Sequence, residues 1–127
     1  MKRLLQIIET MSGALFAVSQ RLQGRSIGRR TRTLGRWPRV RGRGSLKIGS
    51  VTKFFGRALR VVLDVSPGGI LTIGDRCALN DGASIFVSQS VSIGDGTLLA
   101  RNVQIMDSSG HETDEGSGAR TLPVQIG

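Results

Sequence analysis

Short phrases that alternate apolar and polar residues and end in Ile-Gly recur along the second two-thirds of the chain. Such alternation is typical of a short strand with one buried face, and the glycine that follows is typical of a turn. The four copies are Leu46-Lys47-Ile48-Gly49-Ser50, Leu71-Thr72-Ile73-Gly74-Asp75, Val91-Ser92-Ile93-Gly94-Asp95 and Val124-Gln125-Ile126-Gly127. The pattern therefore predicts four equivalent units of strand and turn.

Between these phrases, large aliphatic residues recur at every sixth position. The two series are Ile73, Leu79, Ile85 and Ile93, Leu99, Ile105, and the residue four positions after a member is often small, as at Cys77, Ala83 and Thr97, with Val103 slightly larger. A unit of one short strand and one turn is too small to bury its own face, so neighbouring units must stack into a solenoid whose strands pair between coils. The 18 glycines and the absence of tyrosine fit a narrow interior with tight corners. The sequence thus predicts an all-β fold, a parallel β-helix of hexapeptide repeats.

The first residues follow a different period. Apolar residues recur there at alternating spacings of four and three, which predicts an amphipathic α-helix over residues 3–22 that ends near Gly24. The apolar stripe consists of Leu4, Ile8, Met11, Leu15, Val18 and Leu22. Two interpretations of the stripe are open: it packs on its own domain or a neighbouring subunit, or it lies on a membrane surface, since a basic tract follows directly.

Charge divides the chain into two unlike parts. The net charge is +9, yet residues 1–60 hold 15 Lys and Arg against a single acid, Glu9, whereas the remainder holds three basic and eight acidic residues. The arginine tract over residues 21–43 predicts a solvated linker that is able to meet anionic lipid. It lacks aromatic stacking platforms, so specific nucleic-acid binding is not expected. We therefore predict a basic amphipathic helix and Arg-rich linker over residues 1–43 and a β-helix domain over residues 44–127.

The cysteine and histidine counts exclude several kinds of site. The single Cys77 excludes an internal disulfide or a multi-cysteine zinc site, and the single His111 excludes a three-histidine metal site. Cys77 occupies a small inward position, which predicts a buried packing role. The sequence contains neither an apolar run of transmembrane length nor a signal-peptide pattern, which predicts a cytoplasmic protein, peripheral at the inner membrane face if residues 1–43 contact lipid.

Residues 44–127 resemble the hexapeptide-repeat acyltransferases, whose β-helix is left-handed. They are most similar to bacterial sugar and polysaccharide O-acetyltransferases, the group that includes maltose and galactoside acetyltransferases and capsule-type relatives. The specific signal is Val103-Gln104-Ile105-Met106-Asp107-Ser108-Ser109-Gly110-His111, where a polar loop over 107–122 begins with an Asp-x-x-x-His segment. The resemblance implies metal-free transfer of an acetyl group from acetyl-CoA to a hydroxyl of a saccharide acceptor, as in polysaccharide biosynthesis. It also implies a homotrimer with its sites between subunits.

The same resemblance implies roles for four residues. His111 is the general base, which takes the hydroxyl proton as the oxygen attacks the thioester carbonyl. Asp107 or Glu112 orients or polarises that imidazole, and Asn80 contacts the acceptor. Two structural alternatives stay open: Asp107 caps the turn after its strand, and Asn80 is a corner residue in a left-handed backbone conformation.

The end of the chain suggests a different kind of function. In the family, a phrase such as Pro123-Val124-Gln125-Ile126-Gly127 opens further coils, whereas here the sequence stops, which predicts an open sheet edge left by truncation or covered by a partner. The alternative function is therefore a catalytically inactive, truncated β-helix that serves as a scaffold or oligomerising fragment. A third is a basic surface-binding module in which residues 1–43 do the binding.

Overall fold

A computed structural model describes residues 2–107 and 124–126 of the chain, which form one helix followed by short strands. The elements are α1 (Lys2–Leu22), β1 (Ser26–Ile27), β2 (Arg32–Gly35), β3 (Arg39–Arg41), β4 (Ser45–Ile48), β5 (Lys53–Gly56), β6 (Val62–Val65), β7 (Ile70–Ile73), β8 (Ala78–Leu79), β9 (Ser84–Val87), β10 (Ser90–Ile93), β11 (Leu98–Leu99), β12 (Gln104–Met106) and β13 (Val124–Ile126). Every third strand returns to the same side of the molecule.

The strands form three parallel sheets around one core. Sheet A has the order β1-β4-β7-β10-β13, sheet B the order β2-β5-β8-β11, and sheet C the order β3-β6-β9-β12. Each coil contributes one strand to each sheet, and the strands pair in parallel with the coils on either side. We call β1–β3 coil 1, β4–β6 coil 2, β7–β9 coil 3 and β10–β12 coil 4. This arrangement confirms the predicted fold, a parallel β-helix preceded by an α-helix.

Stacked aliphatic side chains fill the interior. Ile27, Ile48, Ile73 and Ile93 occupy the same register position in sheet A, and all four are buried. Because successive residues of a strand point to opposite faces, each inward position stacks on its counterpart in the next coil. The aliphatic series with the six-residue period are therefore columns of the core.

The Ile-Gly-Asp phrase has a physical explanation in the corner after sheet A. A Cβ on Gly74 would lie 2.8 Å from the backbone nitrogen of Asp95 in the next coil, so the close approach of the coils favours glycine. The Oδ1 atom of Asp95 accepts a hydrogen bond of 2.6 Å from the backbone N–H of Asp75, whose own Oδ1 accepts one of 2.7 Å from Ser50 N–H. Each coil thus holds the corner of the preceding coil through a polar side chain.

The predicted Arg-rich linker over residues 21–43 differs from the structure. Most of this tract forms coil 1, so the solenoid begins at Ser26 and not at residue 44. Ile27, Thr31 and Thr33 point inward and are buried, whereas Arg39 and most other arginines of the tract are exposed. The tract lacks the six-residue aliphatic signal because Thr33 takes the inward position that Phe54 and Leu79 hold in sheet B of the next two coils.

Helix α1 covers the end of coil 1 with the face opposite to the predicted one. Gly13, Phe16, Ala17 and Gln20 are its buried residues, while the apolar stripe from Leu4 to Leu22 is exposed. The interpretation that the stripe packs on its own domain is therefore wrong. Within the described residues, no helix is long and apolar enough to cross a bilayer.

Phe16 is the centre of this contact. Its ring lies 5.8 Å, centroid to centroid, from both Trp37 and Phe54 in edge-to-face geometry. Thr33 is paired with Phe54 in sheet B, and its small side chain leaves the room through which Phe16 reaches coil 2. The Oγ of Ser12 accepts hydrogen bonds from Trp37 Nε1 at 2.9 Å and from Thr33 Oγ1 at 2.6 Å. The helix thus completes the core of a coil that cannot fill itself.

Candidate functional site

The corner between sheets C and A is much longer in coil 4 than in the other coils. Residues 107–123 separate β12 from β13, whereas residues 42–44, 66–69 and 88–89 suffice in coils 1 to 3. The strands on either side are in register, because β12 pairs with β9 and β13 pairs with β10. The extra residues are therefore an insertion into an otherwise continuous solenoid. His111 and Glu112 belong to it and lie outside the described residues, so their roles stay predictions.

Asp107 is the first residue of this insertion, and its carboxylate binds the corner of coil 3. Oδ1 accepts a hydrogen bond of 2.7 Å from Ser88 N–H, and Oδ2 accepts bonds of 2.6 and 2.8 Å from the N–H groups of Gln89 and Ser90. The residue is buried. This geometry supports the alternative in which Asp107 caps a turn, and the turn it caps belongs to the preceding coil.

Replacing Asp107 by alanine is expected to lower the free energy of unfolding by about 2 kcal/mol, because three N–H groups lose a charged acceptor while water replaces it in part. Urea-induced unfolding of wild type and D107A measures the loss. The matched control is Asp64→Ala, since the Asp64 carboxylate lies on the outward face of β6 and caps no turn among the described residues. Equal stability of D107A and wild type would contradict the capping role.

Asn80 lies at the corner between sheets B and C of coil 3. It is half-buried, its Oδ1 accepts a hydrogen bond of 2.9 Å from Asp81 N–H, and its own N–H donates to the carbonyl of Leu99 at 3.0 Å. The left-handed backbone at this corner belongs instead to Gly82, with φ of +74°, and to Asn102 in coil 4, with φ of +60°. The expectation that Asn80 adopts that conformation is therefore wrong, while its contact with an acceptor stays a prediction.

Asn80 and Asp107, the residue at which the coil 4 insertion begins, lie at different corners of the solenoid. Asn80 precedes β9, and the insertion follows β12, the neighbour of β9 in sheet C. The two corners are thus at opposite ends of sheet C, and a four-residue strand such as β9 spans about 13 Å.

A basic recess at the corner of Asn80 was missed by the sequence analysis. The recess has a volume of about 380 Å³. Three arginines line it, Arg36, Arg39 and Arg60, and the rest of the lining comes from Ala58, Leu59, Val62, Gly82 and Ser84. Guanidinium groups in such a recess suit phosphate or carboxylate groups, which they bind in a bidentate manner. The only signal in the sequence is the arginine tract itself, whose charge pattern predicts a linker and not a coil.

Cys77 has the predicted buried position. It is paired along one corner column with Thr52, and its Sγ lies 3.2 Å from the carbonyl oxygen of Gly94 and 3.6 Å from that of Asp75. At the equivalent corners, the hydroxyl groups of Thr31, Thr52 and Thr97 instead donate to the carbonyl three residues earlier. Cys77 therefore takes the buried corner position that threonine holds in coils 1 and 2, although its thiol contacts different carbonyl groups. In the described part of the chain, no group of three or more His, Cys, Asp or Glu could hold a metal ion.

Comparison with protein-family models, with curated proteins and with solved structures finds no match for this chain.

Proposed function

We propose that this β-helix is an O-acetyltransferase that moves an acetyl group from acetyl-CoA to a hydroxyl of a saccharide. One observation carries the proposal: the solenoid is interrupted at a single corner among those described, between β12 and β13, and the inserted residues include the only histidine of the chain. Connecting segments on a rigid scaffold are where catalytic groups concentrate, since regular coils hold their polar groups in backbone pairing. The Asp-x-x-x-His segment resembles that of the hexapeptide-repeat acyltransferases, and this resemblance indicates acyl transfer as the class of reaction.

The proposed chemistry needs one base and no metal. His111 accepts the proton of the saccharide hydroxyl as that oxygen attacks the thioester carbonyl of acetyl-CoA. The tetrahedral intermediate then collapses with cleavage of the carbon–sulfur bond, and the imidazolium returns the proton to the departing CoA thiolate. The products are the acetyl ester and free CoA, and the histidine is unchanged. The Asp107 carboxylate already accepts three backbone hydrogen bonds. We therefore prefer Glu112 to Asp107 as the residue that orients the imidazole of His111.

Two features of the described residues support a site shared between copies. Asn80 and Asp107, the first residue of the insertion, lie at different corners, which is compatible with the proposed homotrimer, in which a neighbouring copy supplies one of the two corners. The basic recess beside Asn80 offers Arg36 and Arg39 to an anionic ligand, and the phosphates of CoA are a ligand of that kind. Because the donor is a cytoplasmic metabolite, the proposed reaction takes place in the cytoplasm.

Replacing His111 by alanine is expected to lower the rate of acetyl transfer at least a hundredfold, the usual contribution of a general base. The binding of acetyl-CoA is expected to stay within about twofold of wild type, since the base acts on the acceptor proton. Release of the CoA thiol in the presence of a panel of mono- and disaccharides measures transfer, and calorimetric titration with acetyl-CoA measures binding.

The matched control is Thr113→Ala, a substitution in the same segment that leaves the imidazole in place. An H111A variant that transfers acetyl groups as fast as wild type would refute the assigned base. Absence of acetyl-CoA binding by the wild-type chain would refute the enzyme and favour the scaffold alternative. The mass in solution, measured in the same experiment, tests for the trimer.

A further inference from the structure

Helix α1 carries an apolar surface that no described residue covers. We call this surface the apolar ridge and define it as Leu4, Ile8, Met11, Leu15, Val18 and Leu22. These side chains are between 48% and 84% exposed, although the helix is firmly packed on coil 1 through its opposite face. The six residues follow one another at alternating spacings of four and three, which keeps their side chains on one side over the whole length of the helix. The ridge is therefore a continuous strip, which is typical of an interaction surface.

Arginines line one flank of the ridge. Arg3 and Arg21 are 18 positions apart, or about five helical turns, so they project from the same side of α1. Arg3 borders a recess together with Arg32 of coil 1, and Arg21 borders another together with Arg29 and Arg30. Coil 1 and the helix thus present their guanidinium groups along the same edge of the apolar strip.

Negative charge is nearly absent from this end of the molecule. The only acid among residues 1–60 is Glu9, and it is half-buried towards the packed face. A second copy placed on the ridge would bring two sets of arginines together, and like charges at such short range oppose association. The ridge and its basic flank are instead complementary to a partner that has an apolar interior and a negatively charged surface.

We propose that the apolar ridge docks α1 flat onto an anionic lipid bilayer. A helix with an apolar face and a basic flank lies in the membrane interface, with the apolar side chains among the acyl chains and the basic groups at the headgroups. The 21 residues of α1 make a contact about 30 Å long. This inference stands independently of the proposed acetyl transfer, because it uses none of the residues assigned to that reaction.

The docking also sets the orientation of the solenoid. Because α1 covers the end of coil 1, the bound protein has this coil nearest to the bilayer. Coil 4 lies three strand spacings further along the solenoid, roughly 14 Å away from coil 1. Strand β12 and Asp107 would then lie at the end of the solenoid that is further from the bilayer.

Co-sedimentation with vesicles tests the proposal. The protein is mixed with vesicles of phosphatidylcholine that contain about one-third phosphatidylglycerol, or with vesicles of phosphatidylcholine alone, without acetyl-CoA. We expect saturable binding to the anionic vesicles, at least tenfold weaker binding to the neutral ones, and a steep decline with added salt. The triple variant Ile8→Gln, Met11→Gln, Leu15→Gln is expected to bind at least tenfold more weakly than wild type.

A matched control carries the same chemical change on exposed positions of the solenoid: Ile70→Gln, Leu98→Gln and Met106→Gln. We expect its vesicle binding to stay within about twofold of wild type. The charge variant Arg3→Gln, Arg29→Gln is expected to flatten the salt dependence, while its control, Arg57→Gln, Arg101→Gln, is not. Circular dichroism and thermal unfolding verify that each variant is folded.

Several results would overturn the inference. Equal affinity for neutral and anionic vesicles would refute the role of the arginines, and unchanged binding of the ridge variant would refute the role of the ridge. Self-association in solution that the ridge variant abolishes, without vesicle binding by wild type, would assign the ridge to a second copy. None of these outcomes depends on acetyl transfer, so the two proposals fail separately.

Discussion

Replacing Phe16 by alanine is expected to lower the free energy of unfolding by about 4 kcal/mol, within the range for truncation of a buried aromatic residue. Phe16 is fully buried between Trp37 and Phe54, and it is the side chain with which α1 fills the end of the core. Thr33 is too small to close the resulting cavity. A loss of this size is a large fraction of the stability of an ordinary domain.

Urea-induced unfolding, followed by circular dichroism, measures this loss. The matched control is Leu15→Ala, one position earlier on the same helix, where the side chain is 62% exposed. We expect the control to change stability by less than about 0.5 kcal/mol. Similar small effects for both variants would show that α1 does not complete the core in solution.

Replacing Gly13 by alanine is expected to lower the free energy of unfolding by about 3 kcal/mol, although alanine has a higher helix propensity than glycine. In an isolated helix this substitution is favourable by about 1 kcal/mol. Here, a Cβ on Gly13 would lie 2.5 Å from the carbonyl carbon of Thr31, 2.8 Å from the Cα of Arg32 and closer still to the Thr31 carbonyl oxygen. Thr31 directly precedes β2 and Arg32 begins it, and the pairing of β2 with β5 restrains these backbone atoms. The helix must therefore move away from coil 1 to make room for the methyl group.

The control for Gly13→Ala is Thr10→Ala, which also raises helix propensity but lies on an exposed position of α1. We expect this control to be neutral or stabilising in the same unfolding experiment. The double variant Gly13→Ala, Phe16→Ala is expected to lose little more than the more damaging single variant, because both substitutions undo one contact. A stabilising effect of Gly13→Ala would contradict the close packing of α1 on coil 1.

The candidate site was predictable only in part. The insertion could be located because the regular phrases before and after it define where coil 4 should have ended. Two positions needed the structure: Asp107 is held by the corner of coil 3, and the left-handed conformation expected of Asn80 belongs to Gly82 and Asn102. Hydrogen bonds between coils join residues about 20 positions apart, and such pairs leave no local pattern in a single sequence.

The sequence by itself determined the solenoid between Ser45 and Met106, because every coil there meets the same local demands: an aliphatic side chain inward, a glycine where coils approach, and a polar side chain that holds the corner of the preceding coil. Only the tertiary structure decided the first coil and the face of α1. In sheet B, coil 1 takes its core side chain from Phe16, which is distant in sequence, so its own inward residue there is the small Thr33 and the six-residue aliphatic series is interrupted. The helix, in turn, packs on coil 1 where Gly13 allows a close approach and Phe16 fills the core, and its apolar ridge stays exposed. Periodicity reports where apolar residues are, whereas the fit of the surfaces decides which of them are buried.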